Sequence, residues 1–293
     1  MTADDAPLGS RPIALVLPGG AAFGAWQGGC LYGLAAKGLT FHSIFGTSIG
    51  CLNGVGYFQD TLERLNKVWH SVSASDFFSF RPRLTPPSLF SQSALRDYLA
   101  NHIDEERARR LKRCWFYAIS TDIAHGTTHQ AEYSPEPEGH WEGQLLDHVL
   151  GSISIPFIWP PAKVDGNGSG PRLLLDGNAK SYVNLLPAIE RGARDIVFLS
   201  VVHPHELKTP EFGPRSYIGT LINQLLQGQV QHSLHAPGLL AKENGLRAFV
   251  FHPEQPLKVR ALAFDTKECG NAFDLGEKDA ARLFANPGPY RVL

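Results

Sequence analysis

The sequence predicts an α/β fold: a parallel or mixed sheet covered by helices on both faces. Three observations carry this. Residues 13–17 (IALVL) and 195–202 (DIVFLSVV) are nearly unbroken apolar runs, as strands buried on both faces require. Such runs alternate along the chain with helix-like segments, the order expected of a sheet built by crossover connections. Glycine-rich turns, Pro18-Gly19-Gly20 and Gly46-Thr47-Ser48-Ile49-Gly50, stand where the first two strands hand over to helices.

The elements follow in order. The strand at 13–17 leads through Pro18–Gly24 into a helix over 24–36 with little polar surface. A second strand covers 41–45, a second apolar helix 49–58, and an amphipathic helix 60–71. Residues 73–92 (SASDFFSFRPRLTPPSLFSQ) mix Phe, Pro and Ser without period and read as a long irregular loop. Strands are expected at 115–121, 127–133, 172–175, 195–202 and 247–252. Helices are expected over 143–150, through 187–191, and over 216–233 and 277–284. Residues 12–205 are expected to form the main domain, and 206–293 a helical or mixed extension packed on it.

Composition narrows the function. With 293 residues, 43% of them hydrophobic, the chain can bury a large core, which excludes a disordered protein. A net charge of −1 and no long basic run argue against nucleic acid, and give no sign of a surface that seeks anionic membranes. The basic stretch at Arg107–Arg110 follows Asp104, Glu105 and Glu106 and reads as a solvated helix face. The four cysteines are widely spaced and read as small buried thiols. The uncharged run from 12 to 36 is broken by Pro18, Gly19, Gly20, Gly24, Gly28 and Gly29, so it is not a membrane span. The polar N-terminus lacks a signal pattern, and the expectation is a cytoplasmic protein or one peripheral to a membrane; signal-less export would look the same.

Gly46-Thr47-Ser48-Ile49-Gly50 has the G-x-S-x-G spacing of a nucleophile turn, in which flanking glycines make room for a strained serine between strand and helix. The alternative is one more small residue in a glycine-rich chain. The loop Gly19-Gly20-Ala21-Ala22 can present backbone N–H groups to an oxyanion. Its rival reading, a dinucleotide fingerprint, needs an acidic residue about 20 positions on; residues 6–59 contain no Asp or Glu. Asp176-Gly177-Asn178 follows a strand and offers either a carboxylate to take the serine proton or a type I′ or II turn.

Taken together, PGGAAFGAWQGG, GTSIG, GSISIPFIWPPAKV and LLLDGNAKSYVNLLPAIERGARDIVFLSV resemble the patatin-like phospholipases, in the family's order over about residues 12–202. The resemblance implies a three-layer fold with a central mostly parallel sheet, and hydrolysis of lipid acyl esters without metal or organic cofactor. It places Ser48 as nucleophile and Asp176 as its acid-base partner. Gly46 and Gly50 would form the nucleophile elbow, Gly19, Gly20 and Ala21 the oxyanion loop, and Gly177 and Asn178 would adjoin the dyad. It implies that the block from Gly151 to Pro161 packs beside the site, with its serines as small packing residues. Ala21 departs from the family's third glycine, Phe23 from a frequent basic residue, and Asn178 from a small one. The loss of the basic residue points toward neutral esters.

The expected chemistry is attack by Ser48 on an acyl carbonyl, with N–H groups of the 19–22 loop holding the oxyanion. The alternatives are a catalytically silent lipid-binding protein and an acyltransferase. His203 and His205 are read as structural, and neither they nor His232 and His235 as metal ligands. The cluster Phe77, Phe78, Phe80, Leu84, Leu89 and Phe90 is either a lid that meets a lipid surface or a packed cap.

Overall fold

The computed structural model describes residues 6–166, 170–180, 183–202 and 246–287. The expected helix over 216–233 and the histidines at 203, 205, 232 and 235 lie outside the described residues.

Strands β1 (Ile13–Leu17), β2 (Ser43–Thr47), β5 (Trp115–Asp122) and β9 (Asp195–Leu199) are buried along their whole length. With β6 (Thr127–Tyr133), β7 (Ala162–Val164), β8 (Arg172–Asp176) and β10 (Arg247–Phe251) they form one sheet, ordered β10-β9-β1-β2-β5-β8-β7 with β6 also on β5. The pairings from β10 through to β5 are parallel, while β5/β6, β5/β8 and β7/β8 are antiparallel. This is the mixed α/β architecture the apolar runs predict.

The register on β5 positions the site. β6 pairs with residues 116–122 and so occupies one edge of β5 entirely. The other edge is shared: β2 takes 115–119 in parallel and β8 takes 120–122 antiparallel. Thr47 ends β2 opposite Ile119, and Asp176 ends β8 opposite Ser120. Two strands running toward each other therefore finish nose to nose.

Helix α1 (Gly24–Ala36) packs against α2 (Ile49–Phe58), α3 (Leu62–Trp69) and the long C-terminal helix α8 (Thr266–Ala285). α8 is much longer than the expected 277–284. Its N-terminus is capped by the Asp265 carboxylate, which accepts from Lys267 and Glu268 N–H. The glycines that weaken its helical signal are contact points: a Cβ at Gly276 would stand 2.0 Å from the Trp26 carbonyl oxygen, and one at Gly29 of α1 would stand 1.9 Å from that of Phe273. The two backbones pass too closely for side chains there.

Residues 73–92 also differ from expectation. The irregular loop is a short 3₁₀ turn (Ala74–Asp76) followed by an antiparallel hairpin, β3 (Ser79–Leu84) and β4 (Pro87–Ser91). β3 is exposed throughout, so no burial imposes the alternation by which a strand is recognised. Helices α4 (Gln92–His102) and α5 (Glu105–Leu111) follow; on α5 Arg109 pairs with Glu105, whose half-buried carboxylate also accepts from Trp141 Nε1 and the Leu145 N–H, so the expected solvated face is in part a contact. α6 (Leu145–Ile153) and α7 (Leu186–Glu190) complete the set. All four cysteines are buried and free.

Candidate active site

Ser48 is the residue between β2 and α2, at φ 53° and ψ −128°. A positive φ is costly for a residue with a Cβ, on the order of 1–3 kcal/mol, and the surroundings leave it no choice. A Cβ at Gly46 would lie 2.5 Å from Cys51 Cα, and one at Gly50 would lie 2.2 Å from the Leu17 carbonyl oxygen. Chain and neighbour are thus folded tightly around the serine, as the G-x-S-x-G spacing predicts.

Ser48 Oγ donates to Asp176 Oδ2 at 2.6 Å, both residues being buried. The other carboxylate oxygen, Oδ1, accepts the Asn178 N–H at 2.9 Å. Asp176-Gly177-Asn178 is accordingly no type I′ or II turn: Gly177–Ala179 is a single 3₁₀ turn capped by the Asp176 side chain. Burial pushes the Asp176 carboxyl up to about 6, against the pull of its hydrogen bonds from Ser48 and Asn178. A carboxylate so raised can accept a proton near neutrality and release it again.

The loop after β1 runs alongside. Ala21 has φ 48°, the strained conformation that its departure from glycine foreshadows. The Ala22 N–H donates to the Ala261 carbonyl at 2.9 Å. Among the described residues the N–H groups of Gly19, Gly20 and Ala21 have no backbone acceptor, unlike that of Ala22. The Asn178 side chain lies against Gly19, where a Cβ would stand 2.1 Å from Asn178 Nδ2.

Ser48 and Ala21 line one cleft, whose other walls include Leu52, Leu95, Ile153, Trp159 and Phe264. Apart from the serine its lining is apolar, the environment an acyl chain would fill.

The family description "Patatin-like phospholipase" matches residues 15–189, more than half of the chain. The chain belongs to the patatin-like phospholipase family. "Patatin-like phospholipase domain-containing protein 7" of Rattus norvegicus is 30% identical over 216 residues, covering 70% of this chain and 15% of the rat protein. "Lysophospholipase NTE1" of Cryptococcus neoformans is 27% identical over 219 residues, 69% of this chain and 12% of the fungal one. The chain thus matches only a small part of the length of these relatives. The crystal structure of VipD from Legionella pneumophila aligns over 98% of this chain and 68% of its own, with a TM-score of 0.44 and 10% identity.

Several positioning residues of this patatin-like site are invisible in the sequence motifs. Ser152 is more than a packing residue: its Oγ accepts the Ser48 N–H at 2.9 Å and donates to the Ile119 carbonyl at 2.6 Å. The Ser154 carbonyl accepts the Asp176 N–H, and Thr121 Oγ1 donates to the Asp176 carbonyl. Gln27 Nε2 donates to the carbonyls of Pro18 and Leu199, while Asn53 Nδ2 donates to Gln27 Oε1 and to the Gly24 carbonyl. Trp69 Nε1 donates in turn to Asn53 Oδ1. This buried network brackets the 19–22 loop at Pro18 and Gly24. The blocks that resemble the family include Gln27, Ser152 and Ser154 without marking what they bond, because most of these bonds join segments remote in sequence.

One set of metal-ligating side chain types converges among the described residues: His129, Glu142 and His148, with ligand atoms within 4.8 Å of one another. His129 Nε2 stands 3.4 Å from Glu142 Oε1, and His148 Nδ1 is 2.6 Å from the Tyr133 hydroxyl. None of the three lines the Ser48 cleft.

Proposed function

We propose that this protein is a lipid acyl hydrolase of the phospholipase A or carboxylesterase type, working through a Ser48–Asp176 dyad. The observation that carries the reading is the 2.6 Å bond to Asp176 Oδ2 from the Oγ of Ser48, a residue that lines an apolar cleft. Asp176 takes the hydroxyl proton as Oγ forms its bond to the acyl carbonyl carbon. The carbonyl oxygen becomes an oxyanion, held by N–H groups of Gly19, Gly20 and Ala21. Collapse of the tetrahedral intermediate breaks the ester C–O bond, and Asp176 returns the proton to the leaving alcohol. Water then attacks the acyl-serine, again giving its proton to Asp176, and the acid departs with Ser48 restored. No step calls for a metal or an organic cofactor.

The absence of an imidazole between serine and carboxylate makes the poise of Asp176 decisive. Its carboxyl is pushed to about 6, closer to neutrality than an ordinary aspartate, and so better matched to a hydroxyl.

Intact mass after treatment with a fluorophosphonate tests this. Wild type should gain one adduct, Ser48→Ala none, and Asp176→Asn should react slower by about 10²-fold or more. No adduct on folded wild type, with detergent present, would overturn the reading in favour of a silent acyl-binding protein. If added alcohols divert acyl groups from free acid to new ester, the activity is acyl transfer.

A further inference from the structure

The segment from Phe77 through the β3–β4 hairpin divides its apolar side chains between two environments. Phe77 is buried and lines the cleft. Phe80 is 72% exposed, Leu84 94% and Leu89 47%, and Phe157, on the segment bonded to β4, is 70% exposed. These are four of the nine large apolar side chains that are exposed among the described residues. The two segments are joined by backbone: Leu89 N–H donates to the Phe157 carbonyl and Phe90 N–H to that of Ile158, each at 2.9 Å. Phe157 itself sits at φ 66°, rare for an aromatic residue, and its ring is turned outward.

An aromatic relay connects this surface to the cleft. Phe80 meets Phe90 edge-on at 5.9 Å, Phe90 meets Phe78 at 5.0 Å, and Phe78 stacks on the cleft residue Trp159 at 5.0 Å. The exposed face is therefore the outer end of the apolar wall that lines the site.

Charge selects the occupant. Residues 77–92 and 154–164, which build this face, contain Arg81, Arg83 and Lys163 and no Asp or Glu. Arg81 and Arg83 are exposed and form no ion pair among the described residues. The whole-chain charge of −1 conceals this local surplus. Exposed rings and leucines flanked by unpaired cations match the interfacial layer of an anionic bilayer, where apolar side chains enter the acyl boundary and guanidinium groups stay with the phosphates.

We propose that the β3–β4 hairpin and Phe157 dock this protein on an anionic lipid bilayer, with the Ser48 cleft set beside the membrane surface. The proposal rests on the lipid hydrolase reading for its purpose, but the docking is measured without turnover. Full-length protein is sedimented with vesicles of phosphatidylcholine alone and with phosphatidylglycerol added, and its mass in solution is read by light scattering. Wild type and Ser48→Ala should bind the mixed vesicles alike, and salt should weaken the binding. Phe80→Ser/Leu84→Ser and Arg81→Gln/Arg83→Gln should each lose about tenfold or more in partitioning, while hydrolysis of a soluble short-chain ester stays at the wild-type rate. Equal binding by wild type and the hairpin variants would overturn the proposal, as would no sedimentation with either vesicle. A wild-type dimer that becomes a monomer in Phe80→Ser/Leu84→Ser would assign the face to a second copy of the chain. Vesicle binding without any fluorophosphonate adduct would keep the docking and remove the hydrolase.

Discussion

The two strand-to-helix turns of the site solve adjoining problems by different means. After β2, Ser48 carries φ 53° and is hemmed in by glycines whose missing Cβ atoms would collide with backbone. After β1, Ala21 carries φ 48° with a methyl group in place. The first turn is over-determined by sterics. The second is held by hydrogen bonds, with Gln27 and Asn53 at its ends and the Ala261 carbonyl on Ala22. The two touch through Gly50, whose absent side chain leaves room for the carbonyls of Leu17 and Pro18 at the end of β1. The Ser48 turn thus depends on space cleared by glycines, whereas the loop after β1 depends on anchoring hydrogen bonds at its ends.

Gly50→Ala should break this contrast most severely. A methyl group 2.2 Å from the Leu17 oxygen and 2.6 Å from that of Pro18 meets rigid backbone. Urea unfolding should show a loss of about 3 kcal/mol or more; a change under about 1 kcal/mol would show that the two turns can move apart.

Asp176 comes next. Its folded-state value of about 6 lies above the ordinary 3.8. A raised carboxyl favours the folded protein fully below the unfolded value, and that contribution is lost as pH rises through about 6. The ionised, buried carboxylate thus costs on the order of 3 kcal/mol at pH 8. Asp176→Asn should be more stable than wild type at pH 8, with the gap closing toward pH 4, while wild-type kcat/KM should fall below about pH 6. A stability difference independent of pH would mean that burial does not govern this carboxyl.

The smallest effect is expected at Ala21→Gly. Relief of a positive φ, about 1 kcal/mol, is largely offset by the entropy glycine adds to the unfolded chain. Thermal unfolding should move by about 1 kcal/mol or less. A large loss would mean that the Ala21 methyl contributes packing to the cleft.

How much of this was legible follows the same division. Ser48 and its glycines stand out because a steric requirement restricts residue types within five positions. The apolar runs of β1 and β9 announce buried parallel strands for the same local reason. Ser152, Gln27 and Asn53 carry no such mark, since a serine or amide at long range looks like any other. The β3–β4 hairpin escaped because an exposed strand needs no alternation, and the first half of α8 because its glycines are read as breakers when they are points of close backbone approach.

The meeting of β2 and β8 on one edge of β5 has a consequence for how this site can vary. Ser48 and Asp176 are 128 positions apart, yet a single strand sets the distance between them. Between 123 and 171, the loops joining β6, α6 and β7 can vary in length without moving either partner, provided Ser152 and Ser154 keep their bonds and β8 returns to the same register. A slip of one residue in β8 would carry the carboxylate about 3.3 Å along β5 and turn it to the opposite face of the sheet. β5 is the ruler against which Ser48 and Asp176 are placed.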